Sequence, residues 1–196
     1  MTEDNLGIWS FEKDLINDYA FWKNAFTKEE CEQIIKLGKR KELIEGTVGG
    51  KNKVKKQVRL SNVRWIFPNK ETAWIFNRVT DIVLNLNERF FKFDVTGMVE
   101  GFQFTNYKAP GGKYGKHVDR GIDVGVRKLS VSIQLTDPLK YSGGELNLYY
   151  GDKETTMDKE QGTLIIFPSF SLHEVMPVTK GERNSLVTWI TGKPFK

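Results

Sequence analysis

In Leu129-Ser130-Val131-Ser132-Ile133-Gln134-Leu135 every second residue is apolar and every intervening one is polar. Successive side chains of an extended strand point to opposite faces, so this stretch predicts a β-strand with one apolar and one polar face. A polar face on a strand that otherwise looks central means solvent or a wet cavity, and both readings stand at this point. The same period of two begins near Met98. There Phe102, Phe104 and Asn106 alternate with Gln103, Thr105 and Tyr107. Further strands are predicted over Glu145 to Tyr150, Gly162 to Phe167, Glu174 to Val178 and Arg183 to Thr191, separated by glycine-rich or charged turns.

Before Met98 the period is helical. Thr27 and Glu30 form a capping-box pattern, after which Cys31, Ile34 and Ile35 recur on one face before Gly38. Cys31 thus reads as core. A second helix is expected after Pro68-Asn69, because Ile75, Val79, Ile82, Val83 and Leu86 keep helical spacing for over three turns. Helices first and an antiparallel β-rich half afterwards make an α+β chain, mainly β. That order predicts a double-sheet jelly roll supported by N-terminal helices, with an α+β sandwich of another topology as the alternative.

A chain of 196 residues fits one domain, 1–196, and its 39% hydrophobic residues, 13 Phe and 5 Trp suffice for a core. The single cysteine excludes an intramolecular disulfide framework, and no basic segment followed by an apolar stretch opens the chain, so a cytoplasmic setting is expected. No apolar run approaches the ~20 residues that span a bilayer, so no membrane partner is expected. Net charge is +5, with much of the excess in Lys51-Asn52-Lys53-Val54-Lys55-Lys56-Gln57-Val58-Arg59. That run reads first as a solvated loop, and the excess is too modest to require nucleic acid as a partner.

Only two histidines occur, His117 and His173, and the first opens His117-Val118-Asp119. In extended backbone residues i and i+2 share a side, so His117 and Asp119 can offer a nitrogen and an oxygen to one ion. His173, brought across from a distant strand, would complete a two-histidine, one-carboxylate face that leaves three octahedral positions open and suits non-haem Fe(II). Arg183 follows His173 by ten residues, and Thr179-Lys180-Gly181-Glu182 reads as a hairpin turn between them. Arg183 would then begin a strand running back beside the one that leaves His173. A guanidinium there is a natural anchor for a diacid such as 2-oxoglutarate, with Ser185 on the same face as a hydroxyl donor. Gly111-Gly112-Lys113-Tyr114-Gly115-Lys116 looks like a phosphate-binding loop, but lacks its glycine spacing and ends in His117 instead of Ser or Thr.

The chain resembles the prolyl 4-hydroxylase-like branch of the 2-oxoglutarate and Fe(II)-dependent oxygenases. The likeness runs from the helix start at Phe26-Thr27-Lys28-Glu29-Glu30-Cys31 to Trp189. It rests on His117-Val118-Asp119, Ser142-Gly143-Gly144-Glu145-Leu146, the Phe167-Pro168 approach to His173, and Gly181-Glu182-Arg183-Asn184-Ser185 leading to Trp189. The resemblance implies a distorted double-stranded β-helix, with His117, Asp119 and His173 as iron ligands and Arg183 as the oxoglutarate anchor. It also implies that Tyr107 touches oxoglutarate and that Gln103 and Thr105 face the cavity. Gln134 stands where some relatives place a second oxoglutarate-contacting tyrosine. Val58-Arg59-Leu60-Ser61-Asn62-Val63-Arg64-Trp65-Ile66 looks like the strand after the substrate loop of prolyl hydroxylases, which makes the lysine-rich run that loop. Arg59, Tyr114 and Trp189 are the implied substrate-side residues.

The implied reaction is hydroxylation of an unactivated C–H bond, with O2 and 2-oxoglutarate as cosubstrates, Fe(II) as metal, and ascorbate as a candidate accessory reductant. The preferred substrate is proline in a protein or peptide. The alternatives are a free amino acid or other small molecule, a nucleic-acid-binding or repair role, and a metal-binding β-sandwich without catalysis.

Overall fold

A computed structural model describes residues 16–42, 44–45, 57–120 and 126–194. The lysines from Lys51 to Lys56, expected as a loop, lie outside the described residues. In chain order the elements begin with β1 (Ala20–Trp22), α1 (Lys28–Lys39), β2 (Ile44–Glu45), β3 (Arg59–Leu60), β4 (Asn62–Ile66) and α2 (Ala73–Leu86). There follow β5 (Val95–Gly97), β6 (Phe102–Lys108), β7 (Lys113–His117), β8 (Arg127–Gln134), β9 (Tyr141–Gly143) and β10 (Leu146–Tyr150). The chain finishes through β11 (Lys153–Thr156), β12 (Leu164–Pro168), β13 (Leu172–Val175) and β14 (Val178–Gly192).

Among the described residues two antiparallel sheets face each other. The larger has the order β1-β12-β8-β14-β6-β4-β2, with β5 and β9 also paired to β14. The smaller has the order β11-β10-β13-β7-β3. This is the jelly roll expected from the alternating pattern. Both helices pack on the outer side of the larger sheet, where Phe102, Phe104, Leu129, Val131, Ile133 and Leu186 meet Ile34, Ile75, Val79 and Val83. Between the sheets lies a smaller apolar cluster that includes Leu146, Leu148, Ile165, Phe167 and Val175. The alternation of β8 is thereby explained: its apolar face meets the helices, and Ser130 and Ser132 face a cavity between the sheets.

Thr27 caps α1 as expected, its Oγ1 accepting from the Glu30 N–H at 3.2 Å while Glu30 Oε2 accepts from the Thr27 N–H at 2.9 Å. The helix does not stop before Gly38 but continues to Lys39. Gly38 is an interior contact point, where an added Cβ would stand 2.5 Å from the Phe104 ring.

The expected hairpin at Thr179 to Glu182 is absent. These residues belong to β14, whose first part pairs with β9 and whose second part pairs with β6 and β8, all within the larger sheet. Gly181, at φ +73°, bends the strand past Lys140, whose carbonyl would lie 2.2 Å from an added Cβ. Arg183 therefore does not run back beside the strand that carries His173. It enters the larger sheet and faces the histidine strand across the cavity.

Candidate functional site

The smaller sheet presents two histidines side by side, because β13 pairs with β7 and sets His173 opposite His117. Asp119 lies two residues past the end of β7. The Nε2 of His117 is 3.6 Å from Asp119 Oδ1, and the Nε2 of His173 is 3.5 Å from Asp119 Oδ2. One donor atom from each of the three residues falls within 4.8 Å of the others. Ligands at ~2.1 Å on adjacent octahedral positions stand about 3 Å apart, so this donor set could close on a first-row ion with small movements.

Both imidazoles are held from behind. His117 Nδ1 donates to the Gly115 carbonyl at 2.8 Å, and His173 Nδ1 to the Ser171 carbonyl at 3.0 Å. These bonds place the proton on Nδ1 and leave the Nε2 lone pair facing the site. The Tyr114 ring stacks on His117 with centroids 3.5 Å apart, and Phe167 meets His173 edge-on at 4.8 Å. Burial pushes the pKa of His173 down, against the pull of the Asp119 carboxylate, which favours the neutral ring a metal needs. Burial alone would raise Asp119. His173, His117 and the Ser130 hydroxyl more than offset it and hold the carboxyl well below the usual carboxylate range.

The larger sheet forms the facing wall, and its register lays out the depth of the cavity. Along β14 the inward residues are Arg183 opposite Tyr107, Ser185 between Thr105 and Gln134, Val187 between Gln103 and Ser132, and Trp189 opposite Ser130. The cavity, open to solvent at one side, has a volume of about 330 Å³, within the range of small-molecule pockets. Its lining includes His117, Asp119, His173, Arg183, Tyr107, Ser185, Arg59, Tyr114 and Trp189. Of the residues assigned to the site from the sequence, all but Gln134 thus meet in one cavity, Gln103 and Thr105 among them.

Gln134, the exception, lies on the same face of β8 as Ser130 and Ser132, opposite Ser185, but does not line the cavity. Its Oε1 accepts from Arg183 Nη2 at 2.9 Å. Arg183 is 1% exposed, and its Nε and Nη1 find no partner among the described residues. A buried guanidinium with unpaired donors is costly unless an anion meets it, so the chemistry of this corner fits a carboxylate. The Arg183 guanidinium also lies 5.3 Å over the Tyr107 ring.

Elsewhere in the lining, Arg59 lies 4.4 Å over the Tyr114 ring and donates to Gln103 Oε1 and Ser61 Oγ, each at 2.8 Å. Trp189 is covered by Arg127, 3.8 Å from its ring, and Arg127 is held by Glu100 at 2.8 and 2.6 Å. Trp65, centred 6.3 Å from Trp189, completes this aromatic wall.

Arg127, Glu100 and the pair Ser130 and Ser169 were not singled out from the sequence. For Ser130 a signal existed, since it belongs to the polar face of β8. Arg127 and Glu100 find each other only through the fold.

The 2OG-Fe(II) oxygenase superfamily model matches residues 102–191. A PKHD-type hydroxylase of Aliarcobacter butzleri is 32% identical over 178 residues, covering 85% of this chain and 75% of the relative. Another from Alteromonas mediterranea is 43% identical over 84 residues, covering 39% of this chain and only 37% of the relative's length. Among solved structures, a Trichoplax adhaerens prolyl hydroxylase in complex with a hypoxia inducible factor oxygen degradation domain peptide fragment superposes with a TM-score of 0.76. At 21% identity over 90% of this chain and 84% of that one, it shows likeness of fold.

Proposed function

Because the chain belongs to the 2-oxoglutarate and Fe(II)-dependent oxygenase superfamily, in its prolyl 4-hydroxylase-like branch, we propose that it hydroxylates proline in a protein or peptide. The reaction couples O2 reduction to oxidative decarboxylation of 2-oxoglutarate, giving succinate and CO2. One observation carries this reading: the buried, incompletely paired Arg183 opens into the same cavity as His117, Asp119 and His173.

In this reading His117, Asp119 and His173 hold the iron, which supplies the oxygen activation and the attack on an unactivated C–H bond that no side chain can provide. Arg183 holds the far carboxylate of 2-oxoglutarate, with Ser185 as a hydroxyl donor and Tyr107 beside it. Gln134 braces the guanidinium. Tyr114, Trp189 and Arg59 shape the space for the prime substrate. Phe167, Val175 and Leu146 line the cavity with apolar surface, which excludes water from the reacting groups.

The peptide preference is supported by the branch and by the peptide bound to the Trichoplax protein. Among the described residues no helix is long and apolar enough to cross a membrane. The test is succinate formation with Fe(II), 2-oxoglutarate and O2 against a panel of proline-containing peptides, free amino acids and oligonucleotides. Stimulation by peptides with a 16 Da gain on proline is expected. Stimulation confined to free amino acids, or to oligonucleotides, would overturn the peptide assignment.

A further inference from the structure

We propose that Ser130, backed by Ser169, is a positioning residue that fixes the Asp119 carboxylate as a one-oxygen ligand. This rests on the reading of His117, Asp119 and His173 as the metal ligands.

Ser130 Oγ lies 2.7 Å from Asp119 Oδ2 and 3.0 Å from Ser169 Oγ. Ser130 and Ser169 are 1% and 0% exposed, so bulk solvent competes little for these contacts. The proton count sets the direction. An ionised carboxylate only accepts, so the single Ser130 hydroxyl proton points at Oδ2, and Ser169 must donate to Ser130. Two hydroxyls in series polarise each other and strengthen the bond that ends on the charge.

The pair joins three parts of the site. Ser130 lies on β8, opposite Trp189 of β14 and Phe167 of β12. Ser169 directly follows β12 and leads to His173, and its carbonyl accepts the N–H groups of Asp119 and Arg120, each at 3.0 Å. Arg127 Nη1 adds a bond to the Asp119 carbonyl at 3.2 Å. The Asp119 backbone is thus clamped from both sides, and rotation of its carboxylate is the freedom left for a side chain to control. Both oxygens face an imidazole, Oδ1 at 3.6 Å from His117 Nε2 and Oδ2 at 3.5 Å from His173 Nε2, and the Ser130 proton engages one lone pair of Oδ2, so Oδ1 is the oxygen left fully free for the ion. A carboxylate binding through both oxygens would take a fourth position and crowd the three that the cosubstrates require.

The test measures metal affinity instead of turnover. Metal-free protein is titrated anaerobically with Fe(II), and separately with Mn(II) followed by electron paramagnetic resonance of the free ion. Wild type is compared with Ser130→Ala, Ser130→Thr, Ser169→Ala and His173→Ala. Ser130→Ala is expected to weaken both metals about 10- to 100-fold, the usual loss when a partner of a metal ligand is removed. Ser130→Thr restores the affinity because it restores the hydroxyl, and Ser169→Ala gives a smaller loss. Unchanged affinity in Ser130→Ala, with binding lost in His173→Ala, overturns the proposal and leaves the ligand assignment standing. Unchanged affinity in His173→Ala overturns the ligand assignment itself. If Ser130→Ala does not fold, Ser169→Ala carries the test, and wild-type affinity there counts against the relay.

Discussion

Arg183 donates through Nη2 to Gln134 at 2.9 Å, and Gln134 donates in turn through Nε2 to the Asp158 carbonyl at 3.3 Å. The guanidinium is therefore braced on one side, while Nε and Nη1 have no partner among the described residues. The hydroxyl of its neighbour Tyr141 is also buried with no hydrogen-bond partner among the described residues. Burial pushes that phenol upward and the nearby Arg183 charge pulls it back.

Arg183→Ala should weaken 2-oxoglutarate binding by roughly 10- to 150-fold, the effect of about 1.5–3 kcal/mol for a hydrogen bond to a charged group. Metal affinity should hardly change. Gln134→Ala should give a smaller loss, since it loosens the anchor without removing it. Calorimetric titration of 2-oxoglutarate into the metal-loaded protein measures both. Equal losses in the two variants would mean that Gln134 contacts the ligand as strongly as Arg183 does.

Anaerobic addition of Fe(II) and 2-oxoglutarate should produce the weak visible charge-transfer band of a chelated 2-oxo acid. His173→Ala should abolish it, because the proposed donor set falls to two residues. A chelator should remove the band from the wild type, and fresh Fe(II) should restore it. Bound iron without a band would count against the oxygenase reading.

Gly38→Ala tests the packing of α1. In an exposed helix this change usually stabilises. Here the new methyl would meet the Phe104 ring at 2.5 Å, so a loss of about 1–3 kcal/mol is expected in urea unfolding. A gain would show that the helix can shift away from the sheet.

The pH dependence of stability should include a step from Glu30. The Arg78 hydrogen bond lowers its pKa, with a further contribution from the Thr27 N–H, against the opposing effect of burial. A lowered folded pKa means that the unfolded chain binds more protons as the pH falls past about 4.5. The contribution is complete above that value and is lost as the pH falls through the folded one. Both side chains are partly solvated, so the effect should stay below about 1 kcal/mol. Denaturation midpoints of wild type and Glu30→Gln between pH 6 and pH 3 should converge at the acidic end.

The strands and the helix faces were legible because burial imposes a period, and β8 and α2 carry theirs without interruption. The grouping of His117, Asp119 and His173 was legible because histidine is scarce and His117 and Asp119 are near neighbours in the chain. The path of β14 was not. A glycine at positive φ marks a turn and a bend alike, and only the pairing partners Tyr141 and Tyr107 distinguish them. Nor was the Ser130 and Ser169 contact, which joins residues 39 apart whose types are ordinary for a strand and a turn.

The two histidines ride on the smaller sheet, and Arg183, Ser185 and Tyr107 ride on the larger one. In the proposed reading, retuning the acid held by Arg183 falls mainly to β6, β8 and β14, with Tyr141 of β9 beside them. A library restricted to the inward positions Tyr107, Gln134, Arg183 and Ser185 would explore new cosubstrates while the imidazole pair is inherited unchanged.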